Sequence, residues 1–207
     1  MTNNDILRRL RYTFDYNDSK MVAIFRLADQ AVTRVQINTW LKKEDEAEYQ
    51  ACPDVQLASF LNGLINDKRG KKEGAQPAPE TRLNNNIIFR KLKIALNLTA
   101  EDVLEIMALA NLRMSKHELS AFFRKPEHKN YRDCQDQILR NFLTGAQHKY
   151  RDKQPPQQPV QTQPEKPSDS GKPKQSAKSK QSAVSKQLAK PAHKPAQKPQ
   201  TTGFKWK

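Results

Sequence analysis

Tyr49-Gln-Ala-Cys-Pro-Asp-Val-Gln-Leu-Ala-Ser-Phe-Leu-Asn-Gly63 returns, 82 residues later, as Tyr131-Arg-Asp-Cys-Gln-Asp-Gln-Ile-Leu-Arg-Asn-Phe-Leu-Thr-Gly145. The residues that persist are Tyr49/Tyr131, Cys52/Cys134, Asp54/Asp136, Leu57/Leu139, Phe60/Phe142, Leu61/Leu143 and Gly63/Gly145. Their apolar members stand three and four apart, so each stretch reads as a helix with one buried face. The same offset, carried outward without a gap, pairs residues 3–69 with 85–151. It adds Asn3/Asn85, Asn4/Asn86, Ile6/Ile88, Arg8/Arg90, Leu10/Leu92, Ile24/Ile106, Leu27/Leu109, Ala28/Ala110 and Arg69/Arg151. A fixed period of this kind marks a duplicated structural unit.

Within each copy the apolar spacing is helical and predicts four helices. The first spans about Asp5 to Phe14, with Ile6, Leu7, Leu10 and Phe14 on one stripe, repeated by Ile88, Phe89, Leu92 and Leu96. The second spans about Ser19 to Ala28, and its counterpart opens on Thr99-Ala-Glu-Asp102, a capping-box pattern. The third opens on Thr33-Arg-Val-Gln36 and on Ser115-Lys-His-Glu118, each a hydroxyl followed three residues on by Gln or Glu. Ile37, Trp40 and Leu41, and Leu119, Phe122 and Phe123, then define its inward face. The fourth starts near Cys52-Pro53-Asp54, where Pro suits a first helical turn. Gly63 and Gly145 fall late in it, which implies either a close helix approach or an early C-cap. The predicted fold is all-α: two tandem four-helix repeats, residues 1–69 and 85–153, joined by a Gly- and Pro-rich linker at 70–84.

Residues 154–207 have another composition. They hold eleven Lys, no Arg, nine of the thirteen prolines and only Glu165 and Asp169 as acids, a net charge of +9. Such a segment buries too little apolar surface to offset the entropy of ordering it, and it reads as a disordered Lys/Pro-rich tail. The whole chain of 207 residues carries +15. The copies differ in charge, since residues 1–69 balance ten bases against ten acids, whereas residues 85–153 carry thirteen against eight. No apolar run reaches the roughly 18 residues of a membrane span, and the opening Met1-Thr-Asn-Asn-Asp-Ile-Leu-Arg-Arg-Leu10 lacks the apolar core of a signal peptide. A cytoplasmic location is the expectation.

The strings Asn4-Asp-Ile-Leu-Arg-Arg-Leu-Arg11, Trp40-Leu-Lys-Lys-Glu-Asp-Glu46, Phe60-Leu-Asn-Gly-Leu-Ile65, Asn84-Asn-Asn-Ile87 and His128-Lys-Asn-Tyr-Arg-Asp-Cys134 resemble the bacterial YehS-like family over residues 1 to about 152. That resemblance implies a two-copy organisation and a bacterial source. The family is one of unknown function, so no catalytic residue carries over. The tail matches nothing in its pattern.

Little in the sequence points to a reaction. Cys52 and Cys134 share one place at the start of the fourth helix, where a helix N-terminus can acidify a thiol; their duplicated placement favours a common structural slot. The four histidines are too scattered for a zinc spacing, and neither a metal nor another cofactor is expected. Glu44, Asp45, Glu46 and Glu48 read as a solvated loop, because charge runs tend to face water and the counterpart Pro126-Glu-His-Lys-Asn130 does not repeat the acidic cluster. The third helix is the candidate site. Its outward positions are Arg34, Asn38, Lys42 and Lys43 in one copy and Lys116, Ser120, Arg124 and Lys125 in the other. Base, small polar, base, base on one face suits phosphates, with Asn or Ser reaching base edges. Lys172, Lys174, Lys178, Lys180, Lys205 and Trp206 of the tail add cations and a ring able to stack. The expectation is a non-enzymatic protein that holds RNA or DNA weakly and salt-dependently, through the second repeat and the tail. The alternative is a helical adaptor for a protein partner, with a basic tether. No membrane or small-molecule substrate is indicated.

Overall fold

The computed structural model describes residues 1–152, and the expected tail lies outside the described residues. Among the described residues are eight helices and no strand: α1 (Asn3–Thr13), α2 (Asp18–Leu27), α3 (Arg34–Leu41), α4 (Asp54–Arg69), α5 (Asn85–Ala95), α6 (Ala100–Leu109), α7 (Lys116–Ala121) and α8 (Asp136–Tyr150). The second four repeat the first four. α1 begins two residues before the expected Asp5. Thr2 caps it, accepting from the Asp5 N–H while the Asp5 carboxylate accepts from the Thr2 N–H. The boxes at Thr33, Thr99 and Ser115 form as their spacing predicts. Pro53 stands at the N-cap of α4 and not inside its first turn. The first two helices of each copy run out into left-handed residues, Asp15 and Asp29, then Asn97 and Asn111. Asp and Asn tolerate that backbone better than other side chains.

One continuous core runs through both repeats, and within it each repeat centres on a group of large side chains. Phe25 packs on Phe60 and Trp40, with ring centroids 5.3 and 5.9 Å apart, and Phe89 packs on Phe142 at 4.7 Å. The aromatic ring shared with the fourth helix comes from different elements. Phe25 on α2 is replaced by Met107 on α6, and Leu7 on α1 by Phe89 on α5, all fully buried. Exchanging the large side chain between facing helices keeps the filled volume, which a close-packed core tolerates best.

The second and fourth helices of each repeat come unusually close. A Cβ on Gly63 would lie 1.9 Å from the Ile24 carbonyl oxygen of α2, and one on Gly145 would lie 1.8 Å from that of Ile106 in α6. Both glycines are therefore there for the close approach, and neither ends its helix.

The two repeats exchange the same elements. α4 packs on α5, and α8, its counterpart, packs on α1. Single bonds follow the exchange: Asp54 accepts from the Leu83 N–H at 2.9 Å, and Asp136 takes the Met1 amino group. Arg69 reaches the Asn97 side chain, and Arg151, its counterpart, reaches the Tyr12 carbonyl and, at 3.4 Å, Asp15. Reciprocal use of one surface by two copies is the signature of a two-fold relation, here built into one chain.

Candidate nucleic-acid interface

The third helix of each repeat ends earlier than its basic pattern implies. Asn4 and Asn86 are buried, and each side-chain amide donates to a carbonyl at the end of that helix, Trp40 at 2.9 Å, one residue before the end of α3, or Phe122, the C-cap of α7, at 2.9 Å. The same amides donate to the Gln50 and Arg132 carbonyls, at 2.7 and 2.9 Å, and their oxygens accept from the Cys52 and Cys134 N–H groups at 2.9 Å. One asparagine thus pins the loop between the third and fourth helices at three points. The asparagine amide stands where a further helical N–H would donate to that carbonyl, and the chain leaves the helix within two residues of it.

The expected line of bases along one helical face is therefore corrected. Arg34 and Asn38 are exposed on α3, but Lys42 is its extended C-cap and Lys43 lies in the following loop. Lys116 and Ser120 lie on the six-residue α7, whereas Arg124 and Lys125 lie beyond its end. Several of these side chains are also engaged: Arg34 with the Ser19 hydroxyl at 2.8 Å, Lys42 with Glu48 at 2.6 Å, Lys116 with Glu101, and Arg124 with the Ser120 hydroxyl at 3.3 Å. Lys172, Lys174, Lys178, Lys180, Lys205 and Trp206 lie outside the described residues.

A different basic grouping emerges from comparing the repeats position by position. In repeat 1, Arg8 is paired with Asp5 at 2.5 Å, Arg11 with Asp18 at 2.8 Å, and Lys42 with Glu48. The counterparts in repeat 2 are Arg90, Lys93 and Arg124, and none has a carboxylate within salt-bridge distance among the described residues. The reason is in the chain: Ile87, Ala100 and Asn130 stand where Asp5, Asp18 and Glu48 stood. Three neutralised cations in one copy are three uncompensated cations in the other. They surround α7, which separates two clefts. One of about 390 Å³ is lined by Arg90, Lys93, Lys116 and Phe123, the other of about 280 Å³ by Arg124, Lys129, Arg132 and Glu118. Arg90 also donates to the Phe123 carbonyl at 3.1 Å, which fixes its guanidinium beside the loop.

Arg90 and Lys93 were not found by helix-face reasoning, because they sit on the first helix of their repeat. The loss of three acids between the copies was the available signal, present in sum in the unequal charge of the halves.

The thiols are buried. Burial, reinforced by the neighbouring Asp54 and Asp136, pushes the Cys52 and Cys134 thiols up to about 12, against a weaker opposing effect of the Leu57 and Leu139 N–H groups. Both stay protonated at neutral pH, contrary to the needs of a nucleophile. Alkylation of the native chain is expected to be slow, with no inflection below pH 10, and to become rapid on unfolding in urea. A thiol reacting in the folded chain with an inflection near pH 7 would overturn the structural assignment. Because the folded values exceed those of the unfolded chain, the thiols favour folding fully below about pH 8.5. That contribution is lost as pH rises toward 12.

Among the described residues no three His, Cys, Asp or Glu side chains gather as a metal-holding group. No helix among them is long and apolar enough to cross a membrane. Glu44, Asp45 and Glu46 are exposed, as the solvated-loop reading expects.

The model of the family described as "Protein of unknown function (DUF1456)" matches the chain twice, at residues 3–70 and 85–152, the two halves of the fold. The uncharacterized protein YehS of Escherichia coli (strain K12) is 50% identical over 147 residues, covering 70% of this chain and 94% of that protein. No solved structure matches.

Proposed function

The chain belongs to the DUF1456 family, which brings no activity with it, and from its own surface we propose that it binds RNA or DNA, with little sequence choice, through the α7 surface of repeat 2 and its Lys-rich tail. The observation that carries this reading is the unmasking of Arg90, Lys93 and Arg124 by the exchange of Asp5, Asp18 and Glu48 for Ile87, Ala100 and Asn130. A solvated surface needs no such one-sided loss. Uncompensated cations around a cleft attract phosphates and release their counterions, so binding weakens steeply with salt. Lys125, Lys129 and Arg132 enlarge the patch. Lys116 contributes less than its position suggests, because Glu101 holds it.

The test uses the full chain and fluorescently labelled single strands in an anisotropy titration. Lys93→Glu, Arg124→Glu and Lys125→Glu together are expected to weaken binding at low salt by at least about tenfold and to flatten the slope of log K against log salt. Arg26→Glu, Arg34→Glu and Lys43→Glu, the same charge change on repeat 1, are expected to do far less. Removing residues 154–207 flattens the slope further while leaving measurable binding. Equal loss in the two triple variants would reduce the protein to a diffuse polycation. Absence of binding at low salt would leave the adaptor reading in its place.

A further inference from the structure

Between α5 and α7 the larger of the two basic clefts has an apolar interior. Leu119 and Phe123 form its floor, and Ile94, 43% exposed, forms a wall. The Phe123 ring is held from behind by Phe89, with centroids 5.0 Å apart, and Lys93 Nζ lies 5.8 Å from its centre. Arg90, Lys93 and Lys116 make the rim, and no carboxylate lines the cleft. The same place in repeat 1 is closed off electrostatically, because Asp18 spans to Arg11 at 2.8 Å where repeat 2 has Ala100 and Lys93.

From this, and resting on the reading of repeat 2 as a nucleic-acid surface, we infer that the α5–α7 cleft is a pocket for one unpaired nucleotide of a single strand, the base lying against Phe123 and Ile94 and its phosphate held by Arg90 and Lys93. The rim carries three cations and no carboxylate, with the Ser120 hydroxyl as its one neutral polar side chain. An occupant must therefore be rich in acceptors, as a phosphodiester and the carbonyl edge of a pyrimidine are. A neutral peptide segment would leave the charges of Arg90 and Lys93 unmatched, which a phosphodiester would not. A volume of about 390 Å³ falls at the small end of ligand pockets, which begin at about 300 Å³. A base in a duplex keeps its face covered by its neighbours, so the pocket selects single strands.

The experiment compares, on the full chain, a twelve-nucleotide oligothymidylate with an abasic strand carrying the same number of phosphates. The native chain is expected to prefer the base-bearing strand by about tenfold or more, the scale of one stacking contact. Ile94→Glu, at an exposed helical position, is expected to keep the helical circular dichroism spectrum and to abolish the preference. The Lys93, Arg124 and Lys125 charge reversals should weaken both strands. If the native chain binds both strands equally, the cleft is no base pocket although the nucleic-acid reading stands. A preference that survives Ile94→Glu overturns the pocket in the same way, since stacking then occurs elsewhere. If neither strand binds at low salt, the underlying reading falls first. If a random Glu/Tyr copolymer displaces oligothymidylate from the native chain but not from the Ile94→Glu variant, the cleft belongs to a protein partner and the inference is overturned.

Discussion

Gly63→Ala and Gly145→Ala are expected to destabilise the chain by about 2 to 4 kcal/mol each, although alanine is the better helix former by about 1 kcal/mol. The sign reverses because of what the methyl group meets. It would sit 1.9 Å from the Ile24 carbonyl oxygen in one repeat and 1.8 Å from the Ile106 carbonyl oxygen in the other. A side chain in the way can change rotamer, but a helical carbonyl cannot. α2 or α6 must therefore retreat by roughly an ångström, and the retreat loosens the contacts of Phe25 and Phe60, or of Met107 and Phe142, all fully buried. Overpacking of a filled core typically costs about 1 to 3 kcal/mol and occasionally more, and collision with two backbone atoms, for which no rotamer change gives relief, belongs among the larger values even after the helix-propensity gain is subtracted. The measurement is the urea midpoint by circular dichroism. An unchanged or raised midpoint in either variant would show that the helices separate more easily than the packing implies. The two substitutions lie in different repeats, so their joint effect also reports whether the repeats unfold as one unit.

Much of this arrangement was legible in the chain, for identifiable reasons. Period, cap and burial are local signals: Thr33 to Gln36 and Ser115 to Glu118 announce helices, and Leu57, Phe60 and Leu61 announce a face. The glycines narrowed to two explanations, and only the position of α2 chose between them. What the sequence hid is long-range. The end of the third helix is set by Asn4, 36 residues before Trp40, and nothing around Trp40 announces it. The pairing of α4 with α5 and of α8 with α1 is equally silent, because an apolar stripe says that a face is buried and not by which neighbour. For the candidate site, helix-face reasoning placed Lys42 and Arg124 on a helix that stops short of them. It also treated each base as free, whereas Lys42 is spent on Glu48 and Lys116 on Glu101. Charge in sequence becomes charge at a surface only after its partners are subtracted.

Asn4→Ala and Asn86→Ala are expected to cost at least about 3 kcal/mol each, the other large effect, through groups the substitution does not itself remove. Deleting the amide strands two carbonyls and one N–H in each repeat: Trp40, Gln50 and Cys52 in the first, Phe122, Arg132 and Cys134 in the second. The bonds to Trp40 and Cys52, and to Phe122 and Cys134, are the buried ones; a buried backbone group left without a partner costs about 1 to 3 kcal/mol, and alanine is too small to exclude or replace the lost bonds. Asn86→Asp sharpens the test. It keeps the acceptor for the Cys134 N–H but turns lone pairs toward the Phe122 and Arg132 carbonyls, so the buried carboxyl favours its protonated form. Its folded pKa then exceeds the unfolded value of about 3.9, and the variant's stability should fall as pH rises above about 4, a step the native asparagine lacks. The readout is the urea midpoint from pH 4 to pH 7 for the native chain, Asn86→Ala and Asn86→Asp. Should Asn86→Ala unfold at the native midpoint, or Asn86→Asp show no added pH dependence, then the asparagine is not what fastens the loop beneath α7. The placement of Arg124, Lys125, Lys129 and Arg132 beside that helix would then need another cause.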